Sequence, residues 1–274
     1  MNETIVTGVF DIGRGDMGGP FARPFSFYLE SLSELLRMEQ PLIIYIQKRY
    51  EDFVRQHRTG AKIAIRTVEL EDIEESPFFE RIQAIRTSED WVEQAAWLKD
   101  SPQYRLAHYV PLMMMRLRWL HDEARRNPFK TDRIYWLDAG ILSNWRYKSF
   151  GRRVIEKRIP GQRFLVYSFP YRRSAEIHGF PRGACAQFCG VREISWVCRG
   201  GLCGGPLDYV DRVGKHLDEI TRETLDAGYM GTDENLLTIL AHRHPELISR
   251  RMILRDRLSF LGPFYARYRK LTGR

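Results

Sequence analysis

The hydrophobic positions along the chain follow two periods, and their alternation predicts an α/β fold. Apolar, largely β-branched runs at 4–12, 41–46 and 61–68 are typical of buried strands. Between them, apolar residues at helical spacing predict helices over 24–38 and 50–57. Such strand–helix alternation favours a mostly parallel central sheet flanked by helices.

The rest of the chain continues this pattern around one acidic segment at 69–80, which is expected to be a surface excursion. A glycine-rich stretch at 200–206 is expected to be a loop. Further helices are predicted over 109–126, 207–226 and 235–242, and further strands over 133–137, 164–169, 186–191 and 194–197.

Positive charge is concentrated at the C-terminal end. The formal net charge is +8, and eight basic residues lie within 250–274 beside a single acid, Asp256. The remainder is near neutral, which excludes a uniform basic coat and makes DNA an unexpected partner. Aromatic residues interleave with these charges, so we predict a domain at 1–249 and an extension at 250–274. The extension suits peripheral contact with anionic lipid, a phosphorylated acceptor or RNA, and a solvated helix face is the alternative.

The compartment follows from the apolar runs and the cysteines. No window reaches 18 consecutive apolar residues, and no basic segment precedes the first apolar run, so a cytoplasmic protein is expected. Cys185, Cys189, Cys198 and Cys203 lack the paired C-x2-C spacing of most zinc sites. Buried reduced thiols are favoured over a structural zinc ion.

A glycine pattern follows the first predicted strand. Residues 13–18 match G-x-G-x-x-G, but Gly19 and Pro20 come next and the helix begins several residues late. A pyrophosphate would not reach the helix N-terminus, which disfavours a nicotinamide or flavin site. The loop still brings backbone N–H groups and Arg14 to the edge where open α/β sheets bind ligands, so a nucleotide is expected there.

Two groups of carboxylates are candidates for chemistry. Asp138 follows the strand at 133–137 and precedes Ala139 and Gly140, so it can hold a cation that bridges diphosphate oxygens, or it can begin a turn. Asp233 and Glu234 open a helix, where acids favour the helix dipole or one of them acts as a general base. Three histidines, at positions 178, 242 and 244, are further candidates without a metal-binding motif.

Four sequence blocks together resemble one bacterial family. They are TIVTGVFDIGR at 4–14, NPFKTD at 127–132, WLDAG at 136–140 and GYMGTDE at 228–234. In this order they resemble the WlaTC/HtrL-type family, whose members look like GT-A-fold glycosyltransferases acting on surface glycans. The resemblance implies a GT-A-like nucleotide-diphospho-sugar transferase fold.

The resemblance also implies roles for individual residues. Asp11 and Arg14 would hold the nucleotide, Asp138 the metal ion (Mn²⁺ or Mg²⁺) and the donor, and Asp233 and Glu234 would lie near the acceptor. A family site usually carries Asp-x-Asp, whereas Gly140 stands in the third position here. Two-carboxylate metal binding is therefore in question, and a single Asp with the diphosphate, or no metal, stays open.

Glycosyl transfer from a nucleotide-sugar donor to a glycan or lipid-linked hydroxyl acceptor is therefore the expected function. In that account, Glu234 or Asp233 deprotonates the acceptor, while Gly140 and the pair Gly204 and Gly205 line the donor-sugar pocket, where missing side chains let backbone approach a ligand. The alternatives are an RNA- or anionic-membrane-binding module and a nucleotidyltransferase, which would release diphosphate instead of a nucleoside diphosphate.

Overall fold

One twisted sheet organises the molecule. The computed structural model describes residues 3–58, 62–142, 162–171 and 175–252. Within these ranges a seven-stranded sheet has the order β3-β2-β1-β4-β8-β5-β9, and β6 and β7 form a separate hairpin. The strands are β1 (Glu3–Val9), β2 (Leu42–Ile46), β3 (Ile63–Thr67), β4 (Arg133–Leu137), β5 (Phe164–Pro170), β6 (Glu176–Ile177), β7 (Phe180–Pro181), β8 (Trp196–Pro206) and β9 (Ile248–Met252).

The strand directions bring several strand ends to one edge. β1, β2, β3 and β4 are all parallel to one another, so their carboxyl ends meet. β8 runs antiparallel between β4 and β5, and β9 is parallel to β5. The predicted α/β fold with a mostly parallel central sheet flanked by helices is confirmed.

Helices cover both faces of the sheet because side chains of successive strand residues alternate between the faces. Leu42 and Ile44 pack with Leu35 of the first helix, while Ile43 and Tyr45 belong to the core on the opposite face. The helices are α1 (Phe25–Leu36), α2 (Glu51–His57), α3 (Leu70–Glu74), α4 (Phe79–Arg86), α5 (Glu89–Val92), α6 (Pro102–Arg105), α7 (Tyr109–Arg126), α8 (Arg182–Cys189), α9 (Leu207–Asp226) and α10 (Asp233–Arg243).

The long helix α7 is held firmly against β1 and β2. The Trp119 ring stacks on Tyr45 with centroids 4.3 Å apart and on Phe10 at 5.5 Å. One turn further on, the fully buried Glu123 accepts a 2.9 Å hydrogen bond from the Tyr45 hydroxyl. These contacts fix the position of the side chains that α7 carries toward the carboxyl edge.

Three predicted elements are wrong. Residues 186–191 are not a strand: they end α8, where Gly190 adopts φ 69° and the Val191 N–H bonds back to the Ala186 carbonyl, the usual close of a helix. The glycine-rich stretch 200–206 is not a loop but part of β8. The acidic segment 69–80 is not a bare excursion, since it contains α3 and the start of α4, and Ile73 is buried.

The first residues of the predicted C-terminal extension at 250–274 belong to the sheet. Residues 250–252 belong to β9, which pairs with β5, so the sheet continues past position 249. Positions 253–274 lie outside the described residues. Among the helices that are described, none is long and apolar enough to cross a membrane.

All four cysteines are buried free thiols, as predicted. Burial raises the pKa of Cys198 to about 12, so the thiol stays protonated at neutral pH.

Candidate functional site

A cavity of about 580 Å³ opens at the shared carboxyl edge of β1 and β4. Its lining comes from the ends of these strands, from α1 and α7, from the β6–β7 hairpin, from β8 and from the start of α10. It brings together seven of the candidate residues from the sequence, which are Asp11, Arg14, Asp138, Gly140, His178, Asp233 and Glu234.

Asp11 follows β1 and is already held by its neighbours. Its Oδ2 accepts a hydrogen bond from the Tyr50 hydroxyl at 3.1 Å and lies 3.3 Å from the Arg49 guanidinium. Its backbone N–H donates to Gln47 Oε1 at 2.8 Å. Asp11 therefore forms a fixed corner of the cavity beside β2.

Arg14 lies in the glycine-rich turn, and its guanidinium is oriented by neutral groups. Nε donates to the Phe21 carbonyl at 3.1 Å, Nη1 donates to the Tyr28 hydroxyl at 2.8 Å, and the group lies 5.6 Å from the centre of the Tyr109 ring. Among the described residues no carboxylate pairs with Arg14, so its charge is available to an anionic ligand.

Asp138 leaves β4 and is both a turn residue and a cavity residue. Its backbone N–H donates to the Gly201 carbonyl at 2.9 Å, and its Oδ1 accepts the Gly140 N–H at 2.8 Å. A Cβ at Gly140 would lie 3.1 Å from that same Oδ1. The side chain remains 39% exposed on the cavity side. Asp138 can therefore hold the turn and contact a ligand in the cavity at the same time.

Arg116 of α7 joins the two groups of carboxylates. Nη1 donates to Asp138 Oδ2 at 2.7 Å, and Nη2 lies 2.6 Å from Asp233 Oδ2. The side chain is only 9% exposed. Burial alone would lower its pKa, but Asp233 and Asp138 raise the pKa of Arg116 above its ordinary value, so the guanidinium is permanently charged.

Arg116 was not predicted as a site residue, although its place in the sequence of α7 is unusual for a charged side chain. It stands in the apolar stripe of α7, four residues after Leu112 and three before Trp119, where a charged residue is out of place. A charge inside such a stripe needs a buried partner, and the two partners lie far away in sequence.

Asp233 and Glu234 open α10 behind a capping box formed by Thr232 and Asn235. Asp233 is 1% exposed, and burial raises its pKa against the opposing effect of Arg116. A Cβ at Gly200 would overlap the Asp233 carboxylate, so glycine is required there by close packing.

Glu234 is surrounded by donors and cations. Its Oε1 accepts the Gly200 N–H at 3.2 Å and lies 3.5 Å from the Arg199 guanidinium, while Oε2 lies 2.8 Å from His178 Nε2. Burial would raise its pKa, but His178, Arg199 and the Gly200 N–H lower the pKa of Glu234 to about 2. Glu234 is therefore ionised at neutral pH.

His178 is the one of the three candidate histidines that lines the cavity. It occupies the turn of the β6–β7 hairpin with φ 53°, an uncommon conformation for a residue with a side chain. Burial lowers its pKa, but the Glu234 charge outweighs that effect and leaves the pKa of His178 raised. His242 instead stacks on Trp196, and His244 stacks on His216.

Gly204 and Gly205 do not line the cavity, and their prediction as a pocket loop is wrong. Both lie in β8, where a Cβ at Gly204 would meet the backbone of Tyr135 at 2.7 Å and one at Gly205 would meet the Arg163 carbonyl at 2.8 Å. They are glycines because neighbouring strands approach closely. Gly200 and Gly201 of the same strand line the cavity in their place.

The described side chains do not fit a metal ion held by the protein. Asp138 uses Oδ1 for Gly140 and Oδ2 for Arg116, and a glycine stands where a second carboxylate would follow. No group of three or more His, Cys, Asp or Glu side chains in the described ranges is placed to hold a metal ion. The expected Mn²⁺ or Mg²⁺ at Asp138 therefore finds no matching donor set there.

Comparison with known proteins settles the family. A family described as bacterial protein of unknown function (HtrL_YibB) matches residues 1–153, more than half of the chain. The chain belongs to the HtrL_YibB family. The match includes Asp11, Arg14, Arg116 and Asp138, while Asp233 and Glu234 lie beyond it. The HtrL part of the resemblance noted from sequence is confirmed, and the WlaTC part is not tested by this match.

No curated protein matches this HtrL_YibB member, whereas solved structures do. Mouse xyloside xylosyltransferase 1 in its apo form is 14% identical, with a TM-score of 0.46, 92% of this chain covered and 85% of that chain covered. Core-mannan synthase A of Aspergillus fumigatus, in its Mn/GDP form, is 11% identical, with a TM-score of 0.46 and coverage of 91% and 72%.

Proposed function

We propose that this protein is a nucleotide-sugar-dependent glycosyltransferase with a GT-A-like fold. One observation carries the proposal: Asp11 and Arg14, Asp138, and Asp233 and Glu234 come from three separate sequence blocks, yet line the same cavity. That cavity lies where open α/β sheets bind ligands, and its volume of about 580 Å³ is within the usual range for small-molecule sites.

The donor would occupy the end of the cavity formed by β1, α1 and β4. Asp11 and Arg14 would contact the nucleotide, because Arg14 offers a fixed positive charge without a competing carboxylate in the described ranges. The sugar would lie near Asp138 and Gly140, where the exposed part of the Asp138 carboxylate can accept hydrogen bonds from hydroxyl groups.

The acceptor would approach from the side of Asp233 and Glu234. During transfer the bond between the anomeric carbon and the diphosphate oxygen breaks, its electron pair stays on the diphosphate, and the acceptor oxygen bonds to that carbon. The acceptor proton passes to a carboxylate. Asp233, whose pKa burial raises, is the stronger base of the two, whereas the pKa of about 2 suits Glu234 to orient the hydroxyl.

A thermal-shift panel tests the donor class. Uridine or guanosine diphosphate should raise the melting temperature of the protein more than NAD does, because a ligand that binds only the folded state stabilises it. Arg14→Gln should remove most of that shift, while Arg222→Gln on the exposed side of α9 should keep it. An equal shift with NAD, or none with either diphosphate, would contradict the proposal. If a diphosphate does stabilise the protein, surface glycan and lipid-linked acceptors are the first to be assayed.

A further inference from the structure

The oxygens that would bind a metal ion are already bound to a guanidinium. Arg116 lies between Asp138 Oδ2 at 2.7 Å and Asp233 Oδ2 at 2.6 Å, so one cation bridges two carboxylates from different parts of the chain. The remaining oxygen of Asp138 accepts the Gly140 N–H at 2.8 Å. A side chain thus occupies the position between carboxylates where a divalent cation would otherwise bind.

This guanidinium is preorganised. It lies 5.7 Å from the centre of the Trp136 ring, and its helix is anchored by the stack of Trp119 on Tyr45. Gly200 leaves the room that the Asp233 carboxylate needs to reach it. Arg116 lines the cavity, and carboxylates hold both of its Nη groups, so the guanidinium cannot turn away from this position.

A second fixed cation lies around the same rim. Arg14 donates to the Tyr28 hydroxyl at 2.8 Å, and the Tyr28 ring is also next to Gly140, since a Cβ there would lie 4.0 Å from its Cε1. Arg14 and the Asp138 turn therefore flank one tyrosine. Fixed charges of this kind can stabilise a diphosphate without reorganising when it forms.

We propose that Arg116 takes the place of a divalent cation between Asp138 and Asp233 and that Arg14 supplies the charge that meets the diphosphate of the donor, so that nucleoside diphosphate binding by this protein requires no divalent cation. The inference rests on the proposed function and concerns the same cavity. Asp138 then acts as the anchor of Arg116 and as a hydrogen-bond acceptor for the donor, in place of a metal ligand.

Calorimetric titration of the full chain with uridine and guanosine diphosphate tests this directly. For whichever nucleotide binds, the dissociation constants measured in EDTA, in Mn²⁺ and in Mg²⁺ should agree within about threefold. A threefold ratio corresponds to a difference of about 0.65 kcal/mol in binding free energy. Arg14→Gln should weaken binding at least about tenfold under all three conditions. The matched control Arg222→Gln, an exposed arginine on α9, should leave it unchanged.

The Arg116→Gln variant tests whether nucleotide binding becomes dependent on a metal ion once the guanidinium is removed. Removing the guanidinium frees Asp138 and Asp233, so binding by this variant should become stronger in Mn²⁺ than in EDTA by about tenfold or more. An Arg116→Gln protein that binds equally in EDTA and Mn²⁺, with wild-type affinity, would overturn the role of Arg116. If the variant does not fold, the wild-type protein and Arg14→Gln still decide.

Two results separate this inference from the proposed function. Wild-type binding that falls more than about tenfold in EDTA would overturn the inference and leave the glycosyltransferase proposal in place. Failure of both diphosphates to bind under any condition would overturn both.

Discussion

Glu234 receives contacts from His178, Arg199 and the Gly200 N–H, and this environment holds its pKa at about 2. Glu234→Gln keeps an acceptor oxygen for the Gly200 N–H but removes the charge. We expect nucleoside diphosphate binding to stay within about twofold and the turnover number for transfer to fall about tenfold, which corresponds to about 1.4 kcal/mol. Titration and steady-state kinetics measure the two effects. Weakened nucleotide binding would place Glu234 in the donor site instead.

The pair of His178 and Glu234 should also make stability depend on pH. Folding raises the pKa of His178, so its contribution is complete below the ordinary value of 6.5 and is lost as pH rises through the higher folded value. Folding lowers the pKa of Glu234, so its contribution is present above 4.5 and is lost as pH falls toward about 2. The pair therefore stabilises most between these two ordinary values.

Urea unfolding of wild type and His178→Asn from about pH 5 to about pH 9 measures this dependence. Asn tolerates the positive φ of this turn. The difference in unfolding free energy should shrink as pH rises above 6.5. His242→Gln is the control, and its pH dependence should have the opposite sign. Burial lowers the pKa of His242, so the contribution of this side chain to the free energy of unfolding is lost as pH falls. A difference for His178→Asn that grows at high pH would contradict the assigned pairing.

Single residues at strand ends could be predicted from sequence, but their partners could not. Asp138 was located because a buried strand ends directly before it, and Arg14 because a glycine-rich turn follows β1. The bridge from Arg116 to Asp233 joins positions that only the packing of α10 against α7 and β8 brings together. Residue spacing carries no information about that contact.

At the level of elements, β8 depends on a glycine where β4 comes close. Gly204 has φ 138°, and a Cβ there would lie 2.7 Å from the Tyr135 Cα, which is backbone and cannot yield. We expect Gly204→Ala to lower the free energy of unfolding by about 3 kcal/mol or more, through overpacking and backbone strain. Gly190→Ala is the control, since its φ is 69° and no atom lies near the added Cβ.

Equilibrium unfolding of these two variants separates strain from crowding. The Gly190→Ala change should cost about 1 kcal/mol, the conformational strain alone. Equal destabilisation by the two substitutions would mean that crowding at Gly204 is absent. Crowding at Gly204 also explains why residues 200–206 were wrongly predicted to be a loop. A run of glycines usually indicates a loop, whereas in β8 the glycines permit close pairing with the neighbouring strands.

At the level of the whole molecule, the order of the opening strands and helices was predictable because β1, β2 and β3 are short runs dominated by apolar and β-branched residues. The position of β8 could not be predicted, because long-range pairing places this antiparallel strand between β4 and β5. Trp136 of β4, for example, lies opposite Cys203 of β8. The helix α8 was mistaken for a strand since eight residues are too short for periodicity to distinguish the two.

The basic segment 253–274 gives a prediction for the whole chain. It carries six basic residues and one acid, and each basic residue near an anionic membrane contributes about 1 kcal/mol. Deleting it after Met252 keeps β9 and should abolish sedimentation with anionic liposomes. The full chain with neutral liposomes is the control. Unchanged sedimentation of the shortened protein would exclude this segment as the membrane contact.

The central claim is that this protein transfers a sugar from a nucleotide-sugar donor bound in the cavity. Identifying the nucleotide that is released tests this claim most directly. Wild-type protein is incubated with nucleotide sugars and candidate acceptors, and the products are separated by chromatography. We expect a nucleoside diphosphate as product, formed about 100-fold more slowly by folded Asp138→Asn, which loses the anchor of Arg116, and at the wild-type rate by Arg222→Gln. Release of inorganic diphosphate, or full activity of Asp138→Asn, would contradict the account.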